Sequence, residues 1–397
     1  MTSKDIPTAV DCFLCGLADL PTYQSMDEIL EKALHAEREL RRLFACDPHN
    51  RMLRDPFIGL MDVFKVDASL RRARAREISS ESDLLARYIL PVSSSFRKPN
   101  MMPSTVLDIE GFRENWDLFT HGVLSKMSVC DWKNVLAAGG SVLACLAPPQ
   151  PATPRKSLNE LFQSKTYATS NVDLFLWGLS PEEAKVKMED IYQAVCAASP
   201  WNVICIRKAH VVLIHTMYPY RPVQIVLRLY QSPAEILAGF DIDSACCAYD
   251  EAGHNVWVNP RSLAAIIRQV NTVDITRRSP SYELRLAKFA ERHFEINLPS
   301  LNRAEIDFSV YDPALTTWPK GLARLLVLER AYQESNFYNL LKYPMVPLLQ
   351  EASQANYAGV CPLTGISYDY ALGIAQIPYG PLWDADAVAE LISELVR

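Results

Sequence analysis

The chain has 397 residues, of which 49% are hydrophobic and 22% charged, with a formal net charge of −6. That apolar content excludes an intrinsically disordered chain, and the length exceeds one ordinary core, so two or three packed units are expected. A net acidic chain is not a general coat for nucleic acid, although it can still carry a local basic cleft.

In chain order, Cys12 and Cys15 come first, as a lone C-x-x-C pair. A structural zinc needs four ligands and no second close pair follows, so two plain thiols are expected. Ser25-Met-Asp-Glu28 has the form of a capping box, and Met26, Ile29, Leu30, Ala33, Leu40 and Leu43 recur at helical spacing through residue 45. A second helix is predicted over 67–78, with Arg71, Arg72, Arg74 and Arg76 as a solvated face. Residues 91–103, rich in Ser and Pro, read as a linker.

The ten cysteines are scattered, several of them inside apolar runs, as with Cys145 and Cys205, and the start of the chain has no apolar signal core. This is the usage of buried free thiols in a reducing compartment, so a cytoplasmic or nuclear location is expected. The longest apolar runs, 211–214 and 223–226, are far short of the roughly 20 residues that cross a bilayer, so no membrane partner is expected.

Residues 134–141, Asn-Val-Leu-Ala-Ala-Gly-Gly-Ser, read as a buried strand that turns sharply at Gly139 and Gly140. Glycine accepts φ > 0 there, and Ser141 then opens a new element with free backbone N–H groups, a place for a phosphate. A Pro-rich loop over 148–156 follows, with Arg155 and Lys156 expected in solvent. Residues 170–178 then alternate, placing Asn171 and Asp173 on one face of a strand and Val172 and Leu174 on the other. Two short polar side chains on one face can share a cation.

These two stretches resemble the signature of the nucleotidyltransferase superfamily related to DNA polymerase beta, poly(A) polymerases and oligoadenylate synthetases. In that group a hydrophobic strand ends in Gly-Gly or Gly-Ser, and a following strand carries Asp-x-Asp, which holds two Mg²⁺ ions. The wording of 138–143 and 172–178 is similar to that of poorly characterised, often fungal proteins loosely described as ankyrin-repeat proteins, although the chain shows no repeat period of about 33 residues. The resemblance implies an α+β fold, a nucleotidyltransferase-like mixed sheet with helices over 111–310, flanked by helical regions at 1–110 and 311–397. It also implies transfer of a nucleoside monophosphate from a nucleoside triphosphate to a hydroxyl acceptor on RNA, protein or a small molecule, with Mg²⁺ (or Mn²⁺) as cofactor. Two departures stand against it. Asn171 occupies the place of the family's first Asp, and the gap from Ser141 to Asp173 is longer than in the compact motif. An amide offers a metal a neutral oxygen and no charge, so an inactive nucleotide-binding or protein-interaction scaffold of the same fold is the alternative.

Downstream, Ser180-Pro-Glu-Glu183 starts a helix whose apolar stripe is Ala184, Met188, Ile191, Val195 and Ala198. Strands are predicted at 202–207, 209–217 and 222–230, a short helix at 233–237, a hairpin from 241–249 and 256–258, and helices over 321–341, 346–352 and 384–396, with an ordered loop over 357–383. Two-metal chemistry needs carboxylates, and alternate residues Gln224, Val226 and Arg228 supply none. Asp241 and Asp243, two residues apart, are the nearest substitutes. The candidate site therefore comprises Asp173, Asn171 and Asp241 as catalytic residues, with Asp173, Asp241 and Asp243 as metal ligands. Gly139, Gly140 and Ser141 are candidates for the nucleotide, joined by Arg277, Arg278 and Lys288 from the basic, helical stretch 271–294.

Overall fold

The computed structural model describes residues 5–22, 24–148, 155–164, 166–167, 170–279, 281–311, 321–333 and 379–396. From the N-terminus these form α1 (Asp5–Asp19), α2 (Asp27–Cys46), β1 (Met61–Asp62), α3 (Glu81–Leu85), β2 (Tyr88–Ile89), α4 (Ile109–Thr120), α5 (Val129–Trp132) and β3 (Val135–Ala138). Next come α6 (Gly140–Leu146), α7 (Arg155–Phe162), β4 (Val172–Trp177), α8 (Pro181–Ala198), β5 (Ile204–Arg207), β6 (Val211–His215), β7 (Val223–Tyr230) and α9 (Pro233–Ala238). The rest are β8 (Cys247–Asp250), β9 (Asn255–Val258), α10 (Pro260–Arg268), β10 (Val270–Thr272), α11 (Tyr282–Ala290), β11 (Glu295–Asn297), α12 (Ala323–Gln333) and α13 (Ala385–Val396).

The main sheet has the order β1-β9-β8-β3-β4-β7-β6-β5, and a smaller one runs β10-β11-β2. In the main sheet β4 and β7 are parallel and the other neighbours antiparallel, so the fold is mixed α+β. Central β3 is buried at every position, which is why Val135–Ala138 reads as an unbroken apolar run. On β4, Val172, Leu174 and Leu176 face the large core while Phe175 joins a second cluster with Leu136, Ala138 and Leu237 on the opposite face. The N-terminal region is built into this body, since β1 pairs with β9 and β2 with β11. No described helix is long and apolar enough to cross a membrane.

Several predicted elements are observed, among them α8, whose Ser180 and Glu183 form both arms of a capping box. The strands β5, β6 and β7 lie within the predicted spans. Helix α2 is present but starts differently: Met26 is its N-cap, and Ser25 Oγ accepts from Asp27 N at 3.2 Å. The helix predicted over 67–78 is absent. Ala73 and Ala75 are buried between Arg72, Arg74 and Arg76, so the period is two and the segment runs extended. Its arginines are bonded inward: Arg71 donates to Val66 O, Val106 O and Leu107 O, Arg74 to Leu17 O and Leu20 O, and Arg76 to Glu295. Only Tyr282–Ala290 of the stretch 271–294 is α-helical, and 241–246 is a bend and 3-10 turn ahead of β8 rather than a strand. Helices α1 and α10 were not foreseen. The predicted helix 346–352 and residues 357–378 of the predicted loop lie outside the described residues.

Candidate functional site

The site is built where β3 ends against β4. Gly139 has φ 93° and ψ −142°, a conformation that a Cβ disfavours, and it turns the chain from the sheet into α6. Gly139 N donates to Cys247 O at 2.9 Å, which pins the turn to β8. A Cβ on Gly139 would meet the Phe240 ring at 3.2 Å, with Asp173 Oδ2 at 4.0 Å, and one on Gly140 would sit 2.8 Å from Arg292 Nη1. Both glycines are thus needed for close approach. The same distances place Asp173 beside Gly139 and Arg292 beside Gly140.

Asp173 projects from β4 into a half-buried position. Burial pushes its carboxyl up to about 6, against the attraction of Lys288. Lys288, on α11, is pulled down to about 8 by burial and by the repulsion of Arg292, with Asp173 acting in the other direction. Register places Gln224 of β7 beside Asp173, and Gln224 Oε1 accepts from Asn171 Nδ2 at 3.4 Å. The positions around Asp173 are therefore amides that satisfy one another.

Two arginines complete the surroundings. Arg292 is 6% exposed, donates through Nη2 to Thr166 O at 3.3 Å and to Ser170 Oγ, and packs over the Tyr167 and Phe289 rings at 4.6 and 5.2 Å. Its Nε has no partner. Arg221, fully buried, donates to Phe119 O, Tyr167 O, Ser170 O and Phe162 O. Among the described residues neither guanidinium forms an ion pair with a carboxylate, which leaves this side of the site positively charged.

The remaining predicted residues lie elsewhere or do other work. Asp241 is engaged by Arg285 and by Ser279 Oγ at 3.0 Å. Asp243 accepts from Arg261 Nη1 at 2.6 Å and from Thr272 N at 2.8 Å, while burial raises its carboxyl. Both carboxylates already face arginines, and no three of His, Cys, Asp and Glu come together as a metal cluster among the described residues. The negative charge each would offer a metal is thus already matched by an arginine. Arg277 is buried and bound to Glu37 at 3.1 Å, Asp274 at 3.2 Å and Ala238 O at 3.1 Å, and Arg278 pairs with Glu283 at 2.5 Å. Arg277 is thus held by buried protein partners, whereas Arg278 is partly exposed beside Glu283. Ser141 is inside α6, 2% exposed, and its Oγ is unpartnered. Cys12 and Cys15 are free, exposed thiols on α1. The side chains of Arg155 and Lys156 lie outside the described residues.

Residues 110–269, which span β3, β4 and β7, match the model of a family described as "Gad2: Gabija anti-defense 2 family protein". The chain is also 28% identical over 245 residues to an uncharacterized protein, R883, of Acanthamoeba polyphaga mimivirus. That similarity covers 57% of this chain and 49% of the viral protein, so the chain spans about half the length of this relative. No solved structure matches the chain. Lys288 and Arg292 lie beyond the matched residues 110–269, whereas Arg221 lies within them.

The donor set does not fit two Mg²⁺ ions. It offers one carboxylate, two amides bonded to each other, and two cations beside them. What the arrangement can hold is an anion. Arg292 is the residue that sequence reasoning passed over. Its signal was present, four positions after Lys288 in the same basic stretch, but nothing in the sequence distinguishes it from the other arginines there.

Proposed function

We propose that the protein is a nucleotidyltransferase-like nucleotide-binding protein that holds the phosphates of a nucleoside triphosphate at Gly139 and Gly140, against Lys288 and Arg292. Binding, rather than two-metal transfer to a hydroxyl, is the property these side chains support. One observation carries this reading: Arg292 is almost fully buried, has neutral acceptors only, leaves Nε free, and lies against a backbone turn that has no side chains. A buried cation is costly unless an anion completes it, and phosphate is the anion that guanidinium groups hold best. The order of strand, Gly-Gly turn, helix and carboxylate strand supports the nucleotidyltransferase likeness. The similarity to an anti-defense family supports a biological setting for the binding, a counter-defence role in the cytoplasm or nucleus.

Calorimetric titration with ATP, GTP, CTP, UTP and inorganic triphosphate, each with and without Mg²⁺, tests the reading. Binding that persists without the metal is expected. If affinity appears only with Mg²⁺, or not at all, the proposal fails.

A further inference from the structure

The C-terminal end of α7 and the turn after it carry polar atoms that the phosphate site does not use. Asn159 lies in α7, Gln163 lies just past its end and donates its backbone N–H to Asn159 O at 3.0 Å, so the two residues are one turn apart, and Ser164 follows directly. Asn159 Oδ1, both Oε1 and Nε2 of Gln163, and Ser164 Oγ are buried without a hydrogen-bond partner. Such clusters are uncommon, because an unmade hydrogen bond in a buried place costs stability with no return. An amide with both halves free presents a donor beside an acceptor in one plane, which is the complement of a nucleobase edge.

The placement of these amides follows from the same arginines that define the phosphate site. Arg221 holds Phe162 O and Tyr167 O, and Arg292 holds Thr166 O while its Nη1 lies against Gly140. Tyr167 N donates to Ser164 O at 3.0 Å and Ser170 N to Tyr167 O at 2.9 Å. Gln163 and Thr166 are three positions apart, at most about 10 Å of chain. The chain from Gln163 to the residue that Arg292 holds is therefore no longer than a nucleoside can span.

We propose that Asn159 and Gln163 bind the base edge of the nucleotide whose phosphates rest on Lys288 and Arg292, with Ser164 adding a hydroxyl to the same contact. This rests on the phosphate reading above and adds that the site reads a base. The test compares inorganic triphosphate with ATP, GTP, CTP and UTP by calorimetry, in the full chain and in its Asn159→Ala, Gln163→Ala and Gln163→Glu variants. At least one nucleotide should bind tenfold or more tightly than triphosphate. Each alanine variant should lose that preference and keep its triphosphate affinity. Gln163→Glu, which keeps the shape and removes the donor, should change the order of preference among the four bases, and it gives the same information if Gln163→Ala does not fold. If triphosphate binds and all four nucleotides match it, or if the variants keep the preference, the base contact is wrong and the phosphate site stands. If triphosphate does not bind, both are wrong.

Discussion

Replacing Asp173 with Asn tests the charge logic of the site. Burial lifts this carboxyl from its ordinary 3.8 to about 6, a value that already includes the attraction of Lys288. At about 1.4 kcal/mol for each pH unit, the difference amounts to roughly 3 kcal/mol. The folded state holds the proton more tightly than the unfolded state does. The stability this group contributes is therefore fully present below about pH 4 and is lost as the pH rises through about 6. A neutral amide escapes that loss. Urea denaturation at closely spaced pH values should show Asp173→Asn equal to the parent near pH 4 and more stable by up to about 3 kcal/mol at pH 7. The same change removes a negative charge facing the ligand. At a separation of roughly 6 Å and an effective dielectric constant of about 20, one such pair is worth about 3 kcal/mol, so metal-free triphosphate should bind at least about tenfold more tightly. A stability difference that is flat with pH, or weaker metal-free binding by the variant, would refute the reasoning. A metal-dependent transferase predicts instead that the variant weakens triphosphate binding measured with Mg²⁺ present.

Three further outcomes are expected. Lys288 is held down to about 8, so triphosphate affinity should fall as the pH rises through about 8, and Lys288→Met should abolish that dependence in the same titration. Gly140→Ala would press on Arg292 Nη1, 2.8 Å away at the far end of its side chain, costing under about 1 kcal/mol in a thermal melt while weakening binding about tenfold. Gly139→Ala, at φ 93°, should instead lose about 1–3 kcal/mol of stability, and similar melts for the two variants would contradict this contrast. Arg261→Met leaves Asp243 buried without its cation and Glu37 with Arg277 alone, and should destabilise by roughly 3–5 kcal/mol; a loss below about 1 kcal/mol would show the network to be solvated.

Local patterns made part of this fold legible. Ser180-Pro-Glu-Glu183 specifies the start of α8 by itself, and the turn at Gly139 follows from two glycines after an apolar strand. Asp173 stood out because a carboxylate among Val172, Leu174 and Leu176 needs a reason to be there. The extended run of Arg72, Arg74 and Arg76 was hidden because charge drew attention away from the period-two burial of Ala73 and Ala75. Gln224 could not be read as a neighbour of Asp173, since register between β4 and β7 is set by turns and packing far from either residue.

The arginines show why the rest of the site was not legible. Arg277, Arg278, Arg285, Lys288 and Arg292 are alike in sequence, a basic stretch with no internal sign of which member faces what. Partners decide it. Arg277 meets Glu37, which lies on α2, 240 positions earlier in the chain, Arg278 meets Glu283, and Arg285 meets Asp241. Each such pair removes one cation and one carboxylate from the possible chemistry at once. Asp241 and Asp243, the acids that a metal site needed, are the ones already matched to Arg285 and Arg261. What is left beside Gly139 and Gly140 is Lys288 and Arg292 against Asp173 alone. The sign of the site is thus reversed from that of a cation-holding carboxylate cluster, and a ligand that brings its own negative charge is the one this arrangement favours.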